Sequence, residues 1–249
     1  MAKQVFEKFR GSEITDDILE GAAKLFNEHY GVWGKDPSNS NPTPKPGSHV
    51  KLSKSRLRDQ YLPNNAYDCC YVRVTLDDRL AGNAFACRWR WQNKVVCWVT
   101  QLVVHADFRE QGLARHLLEF LREDGDAVFG IMSSHPAACL AGARAFTGNI
   151  SSVSPGFIQA YAQAIMNLSP IIYVRDAKLC GSLFDQKDTS GAISSVDTQF
   201  FVDHTEPLEV LKVVRQDRDW PLGELLDGCE FLFMVEVKPR GCLTRPQPF

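Results

Sequence analysis

The residues whose types and spacing could do chemistry lie in Leu102-Val-Val-His-Ala-Asp-Phe-Arg-Glu-Gln-Gly-Leu-Ala-Arg-His-Leu-Leu118. An apolar strand here runs through a tight turn straight into an amphipathic helix, with Leu113, Leu117, Phe120 and Leu121 on one face. A turn of that kind aims backbone N–H groups outward. Gly112 permits close approach to a ligand, small Ala114 keeps the first helical turn open, and the free N–H groups together with the helix dipole favour a phosphate. Arg109 and Arg115 add positive charge beside them. By physics alone this is either an anion site or an uneventful strand-to-helix connection.

Several elements must position this turn. Val5 to Arg10 reads as a strand, and Thr15 caps a helix whose Asp16 and Asp17 suit its positive end and whose Ile18, Ala22, Leu25 and Phe26 share a face. Gly34 to Ser48 is rich in Pro, Asn and Ser and predicts a flexible loop over about residues 34–50. A helix over about Ser53 to Tyr61, a turn at Pro63-Asn-Asn65 and a strand from Tyr67 to Thr75 follow, then a turn at Asp77-Asp78. In Ala81 to Trp91 the residues Phe85, Cys87, Trp89 and Trp91 alternate with Ala86, Arg88 and Arg90, which predicts a strand. Val95 to Val104 is nearly continuous in apolar residues and predicts a central strand. After the motif helix come a strand over Asp126 to Met132 and an Ala-rich helix over Pro136 to Phe146. Residues 151–193 are less regular and read as an insertion, with a helix over Pro155 to Asn167, a brief strand at Ile171 to Val174 and a polar turn at Gln186 to Gly191. Thr198 to His204 and Glu230 to Lys238 are strand candidates around a helix from about Glu206 to Arg215, and Arg245 to Phe249 reads as a frayed tail.

The composition bounds the function. With 249 residues, 44% hydrophobic and 23% charged, the chain has the make-up of a globular protein rather than a collagen-like, disordered or membrane-spanning one. A net charge of −2 provides no global field for nucleic acid or anionic lipid, so neither is expected as a partner. The 8 cysteines show no CxxC pair and no zinc-ligand spacing, so buried reduced thiols and no metal are expected. The first residues carry no signal-peptide core, and a cytoplasmic location is the expectation.

Arg109-Glu-Gln-Gly112-Leu-Ala114, with its strand and Val-His-x-Asp-Phe lead-in, resembles the Q/R-x-x-G-x-G/A motif of the GNAT superfamily of acyl-CoA-dependent N-acyltransferases. The likeness covers Val5 to Phe146 well and Thr198 to Lys238 loosely. It implies an α/β fold with a central mixed sheet flanked by helices, as one domain over 1–249. It also implies acetyl-CoA or another acyl-CoA as co-substrate. The backbone of Arg109, Glu110, Gln111, Gly112, Leu113 and Ala114 would hold the pyrophosphate, with Arg115 beside it. Leu102, Val103 and Val104 would pair main chain to pantetheine, and Ser134 and Ala138 complete the cofactor side. The thioester would lie where the strands Val95 to Val104 and Asp126 to Met132 part, and a bound amine would attack it directly.

The chain departs from the family pattern at two places. The positions where relatives carry a carboxylate base hold Thr100 and Gln101, neither of which accepts a proton near neutral pH. The usual Asn-x-x-Ala-x-x-x-Tyr helix reads His135, Ala138 and Gly142, so the Tyr that would protonate the leaving thiolate is missing. Candidate substitutes are His135, read otherwise as a cap of its helix, Cys139 one turn further, read otherwise as packing against the sheet, and Asp203 or His204 on the late strand, read otherwise as ordinary surface polar residues. Trp89 and Trp91 either line an acceptor pocket or pack in the core, and the Arg88/Arg90 face is either a solvated strand face or meets an acidic acceptor. The expected activity is acylation of a small-molecule amine by a monomer or homodimer. The alternatives are protein-lysine acetylation and a degenerate acyl-CoA binder without catalysis.

Overall fold

The computed structural model of the protein describes residues 3–35, 44–63 and 68–239. Most of the Gly34 to Ser48 loop, the turn around Asn65, the start of the strand at Tyr67 and the C-terminal tail lie outside the described residues. Apolar alternation builds the first strands: β1 (Gln4–Arg10), β2 (Asp68–Leu76), β3 (Arg79–Trp91) and β4 (Lys94–Val104) form an antiparallel meander. Its two tight turns use Asp77 and Asp78 at φ +46° and +63° and Gln92 at φ +54°, the left-handed backbone that two-residue hairpins need. Then β5 (Asp126–Ser133) joins β4 in parallel, and β8 (Cys229–Glu236), β7 (Ser195–Asp197) and β6 (Lys178–Cys180) complete an eight-stranded sheet in the order β1-β2-β3-β4-β5-β8-β7-β6. The sheet is mixed, as the sequence implies.

Helices cover both faces. On one lie α3 (Leu113–Leu121) and α4 (Pro136–Phe146), and on the other α1 (Asp16–His29), α2 (Lys54–Tyr61) and α5 (Pro155–Met166). Adjacent residues of β3 show the division: the Arg88 guanidinium reaches the Leu121 carbonyl at the end of α3, whereas the Trp89 indole donates to the Ile165 carbonyl in α5. Thr15 and Ser53 cap α1 and α2 through their side-chain oxygens, as their sequence positions predict. Trp89 and Trp91 are core residues, at 4% and 5% exposure.

Three expectations are corrected. Ile171 to Val174 is not a strand: α6 (Ile172–Arg175) is a single helical turn, with the Arg175 N–H donating to the Ile171 carbonyl at 3.0 Å. Four apolar residues fit either period, so length cannot arbitrate. Thr198 to His204 is not a strand either; β7 ends at Asp197, and only Val202 makes an isolated bridge, to Trp33, before α7 (Thr205–Asp217). Arg88 is no solvated residue. It is 2% exposed and grips Asp126 with Nε at 2.7 Å and Nη2 at 3.0 Å.

That buried pair ties β3 to the first residue of β5, where the parallel β4–β5 ladder begins. Replacing Arg88 by Met strands a buried carboxylate, and urea unfolding should show a loss of about 3–5 kcal/mol. The double variant Arg88→Met/Asp126→Leu should recover a large part of it.

Candidate active site

The β4–β5 ladder runs from Val95 opposite Asp126 to Val99 opposite Ile131 and then stops. At the same point β4 bulges against β3: Val99 opposes Ala86 and Gln101 opposes Phe85, leaving Thr100 as the extra residue. Beyond it β4 keeps β3 on one edge, through Leu102, Val103 and Val104 opposite Ala84, Asn83 and Gly82, while β5 diverges on the other. The outcome is a wedge between the strands, with Thr100 to Leu102 on one side and Ile131 to Ser133 on the other, opening into a cavity of about 500 Å³.

At the top of β4 the chain enters the motif turn. Glu110 and Gly112 both have positive φ, +62° and +77°. A non-glycine residue in that region costs backbone energy, and alternating backbone hands gather successive N–H groups on one side. Gly112 is the N-cap of α3 and supplies no capping side chain, so the first-turn amides of Leu113, Ala114 and Arg115 stay available for an anion. The two arginines are otherwise engaged. Arg109 donates to the His29 carbonyl at 2.6 Å and to Glu206 at 2.7 Å, tying the turn to α1 and α7, and Arg115 pairs with Glu119 at 2.7 Å. At this turn, main-chain amides rather than free guanidinium groups are therefore the donors left available.

The wedge also draws in residues that the motif does not contain. Glu230, the second residue of β8, precedes Phe231, which pairs with Ser133 at the end of β5. Its carboxyl therefore sits at the open end of the wedge, 8% exposed and in the cavity lining. Burial pushes its pKa up to about 7, partly offset by a hydrogen bond from Thr198. Tyr30, Tyr61 and Tyr173 line the same cavity. Burial raises all three phenols, that of Tyr61 to about 12, so they stay neutral donors at physiological pH. The Tyr173 hydroxyl, from α6, donates to the Thr100 carbonyl at 3.0 Å, at the bulge itself. Thr100 Oγ1 is buried in the lining with no hydrogen-bond partner among the described residues, and the buried Gln101 carboxamide there faces the Tyr61 hydroxyl.

Of the residues singled out in the sequence, Leu102, Ala138, Thr100 and Gln101 line the cavity; His135, Cys139 and His204 do not. His135 caps α4: the Ala137 N–H donates to its Nδ1 at 3.1 Å. The neutral ring then carries its proton on Nε2, which faces Glu206 at 3.8 Å, and burial lowers its pKa. Cys139 is fully buried in α4 with its thiol pushed up by burial, which disfavours the thiolate. His204 precedes α7, buried, with Asp227 at 3.9 Å, while Asp203 accepts the Thr205 N–H at 2.8 Å as a helix cap. Ser134, 9% exposed, lies between the end of β5 and α4. Glu230 had one signal in the sequence, a carboxylate immediately before the apolar run Phe231 to Val235. Gly142 has a packing reason: a Cβ there would come 2.7 Å from the Phe129 ring, so α4 lies too close to the sheet to carry a larger side chain. Among the described residues no group of three His, Cys, Asp or Glu side chains could hold a metal ion, and no helix is long and apolar enough to cross a membrane.

Residues 38–147 match the family model of the acetyltransferase (GNAT) family. Among solved structures, the chain is similar to an aminoglycoside acetyltransferase from an uncultured soil metagenomic sample, with 15% identity, a TM-score of 0.37, and coverage of 53% of this chain and 80% of that one. It is similar to the ribosomal-protein-S18-alanine N-acetyltransferase of Escherichia coli, with 15% identity, a TM-score of 0.32 and coverage of 52% and 66%. A GNAT-family acetyltransferase of Streptococcus pneumoniae is 13% identical, with a TM-score of 0.35 and coverage of 52% and 74%. No curated protein matches the chain.

The raised pKa of Glu230 makes stability depend on pH with a definite sign. The folded state favours the neutral carboxyl, so the stability linked to this group is full below about 4.5 and is lost as pH rises through about 7. Urea unfolding between pH 4.5 and 8 should show this fall, of the order of 3 kcal/mol, and Glu230→Gln should flatten it. An unchanged slope in the variant would mean that the carboxyl titrates as a solvated one does. Gly142→Ala should destabilise the fold by about 1–3 kcal/mol through overpacking, although Ala is the better helix former, and thermal unfolding reads the sign directly.

Proposed function

We propose that the chain, whose residues 38–147 match the GNAT acetyltransferase family model, is an acyl-CoA-dependent N-acyltransferase with acetyl-CoA as donor and a small-molecule amine as acceptor. The observation that carries this reading is the wedge between β4 and β5, with the Glu230 carboxyl in its cavity lining and the motif turn following β4 beyond its open end. The turn fits a CoA pyrophosphate because its α3 amides lack a side-chain cap and its backbone is held in the left-handed region at two positions. In this reading the amides from Gln111 to Ala114 bind the pyrophosphate, the Arg109 N–H being donated to the Ala106 carbonyl, and the main chain of Leu102 to Val104 runs beside pantetheine as an added strand would. Arg109 positions the turn through His29 and Glu206 instead of binding phosphate itself.

Acyl-CoA supplies an activated acyl carbon: the amine nitrogen forms a C–N bond to it, the C–S bond breaks, and the thiol departs. The chain must orient the amine and take its proton. We assign the proton to Glu230. A carboxyl that titrates near 7 is half ionised at neutral pH, where a base is most effective, and it is the lining group with that property. His135, with Nδ1 occupied by the cap, is less suited to the task. No tyrosine stands at Gly142 to protonate the thiolate, but a thiol of pKa about 8.5 is a tolerable leaving group unaided.

Two outcomes test the reading. Acetyl-CoA at 100 times its dissociation constant should stabilise the protein by about 2.7 kcal/mol, and Gly112→Asp should weaken binding at least about tenfold by repelling the pyrophosphate and straining the turn. No stabilisation by acetyl-CoA, free CoA or longer acyl-CoAs would contradict it. In steady-state kinetics, kcat should rise with pH to a plateau above about 7. Glu230→Gln should lower kcat by about 10²- to 10⁴-fold and abolish that limb; full activity in the variant would remove Glu230 from the proton transfer.

A further inference from the structure

Several aromatic side chains line the cavity wall, and they come from elements outside the motif. Tyr30 at the end of α1, with Trp33 and Phe200 in the loops beyond, forms one cluster, its ring centroids 5.2 Å apart for Trp33–Phe200 and 6.2 Å for Tyr30–Phe200. Tyr61 from α2 and Tyr173 from α6 form another, with centroids 6.1 Å apart. Both clusters border the space that holds Glu230. Aromatic faces with one carboxylate among them attract an organic cation through the ring quadrupoles and the charge, and their flat walls favour a flat apolar body.

The remaining charge in the lining is mixed: Asp176 is paired with Arg175 at 3.0 Å, Asp197 accepts the Gln199 N–H at 3.2 Å, and Lys51 and Arg56 place two positive charges in the same wall. The unpartnered Thr100 Oγ1 favours a ligand with a hydrogen-bonding group besides its amine, because a buried polar group left unpaired opposes binding.

We propose that this cavity is an acceptor site for a primary amine on a flat aromatic body that bears a ring hydroxyl or ring N–H. The ammonium lies between Glu230 and the tyrosines, and the ring lies against Trp33 and Phe200. The proposal rests on the acyltransferase reading for its chemistry, but the recognition of the amine does not require turnover.

The test uses the full chain and separates the two. Binding of tyramine and tryptamine is measured calorimetrically with and without acetyl-CoA, and thiol release is measured with tyramine, tryptamine, n-butylamine, spermidine and kanamycin. Both aromatic amines should bind, and their kcat/KM should exceed that of each other amine by at least about 30-fold. Phe200→Ala and Trp33→Ala should each raise KM for tyramine about tenfold or more with a smaller change in kcat. Leu168→Ala, at a site 55% exposed and away from the lining, should leave it unchanged. Preferred turnover of kanamycin, spermidine or butylamine would overturn the proposal and leave the acyltransferase reading intact. So would failure of both aromatic amines to bind while acetyl-CoA binds. Binding of the aromatic amines without any acyl-CoA binding would uphold the pocket and defeat the acyltransferase reading.

Discussion

The parting of β4 from β5 after Val99 is the constraint on which the rest of the site depends, because it opens a sheet that would otherwise be closed by hydrogen bonds. Its closed end is pinned by the Arg88–Asp126 pair, which fixes the first residue of β5 beneath the end of α3. At the open end, the Thr100 bulge bends β4 while β8 holds β5 on its far edge through Phe231 opposite Ser133. The exposed edge of β4 is then available to an extended ligand, and the carboxyl of Glu230 lies where such a ligand would end. One local irregularity thus sets the location of both the proposed donor channel and the proposed base.

The frame of the molecule was legible in the sequence where periodicity is long and turns are chemically explicit. The two-residue alternation of Ala81 to Trp91, the apolar run of Val95 to Val104 and the caps at Thr15 and Ser53 all correspond to observed elements. The motif turn was legible from the spacing of Arg109, Gly112 and Ala114 after an apolar strand, and the positive φ of Gly112 is what the structure adds to it. Short segments were not. Ile171 to Val174 fits either period, and Thr198 to His204 carries strand-like residues that the chain uses in a loop facing Trp33.

The functional groups of the wedge were the least legible part, for a physical reason. Glu230 gains its raised pKa from what surrounds it in three dimensions, and its neighbours in the chain are those of an ordinary core strand. His135, by contrast, stands out in the sequence, yet its Nδ1 is used up locally by the Ala137 amide. Arg109 shows the same inversion: its charge suggests phosphate binding, and its hydrogen bonds make it a brace for the turn. Tyr173 reaches Thr100 from the segment read as an insertion, so that segment supplies a wall of the site as well as length.

The central claim is that the wedge seats an acyl-CoA with its reacting end beside Glu230, and a crystal structure of the protein with CoA tests it most directly. The account predicts the pyrophosphate on the amides of Gln111 to Ala114, pantetheine along Leu102 to Val104, and the thiol between Thr100 and Ser133, facing the Glu230 carboxyl. A CoA whose pyrophosphate lies away from the α3 N-terminus, or whose thiol points out of the wedge, would contradict it.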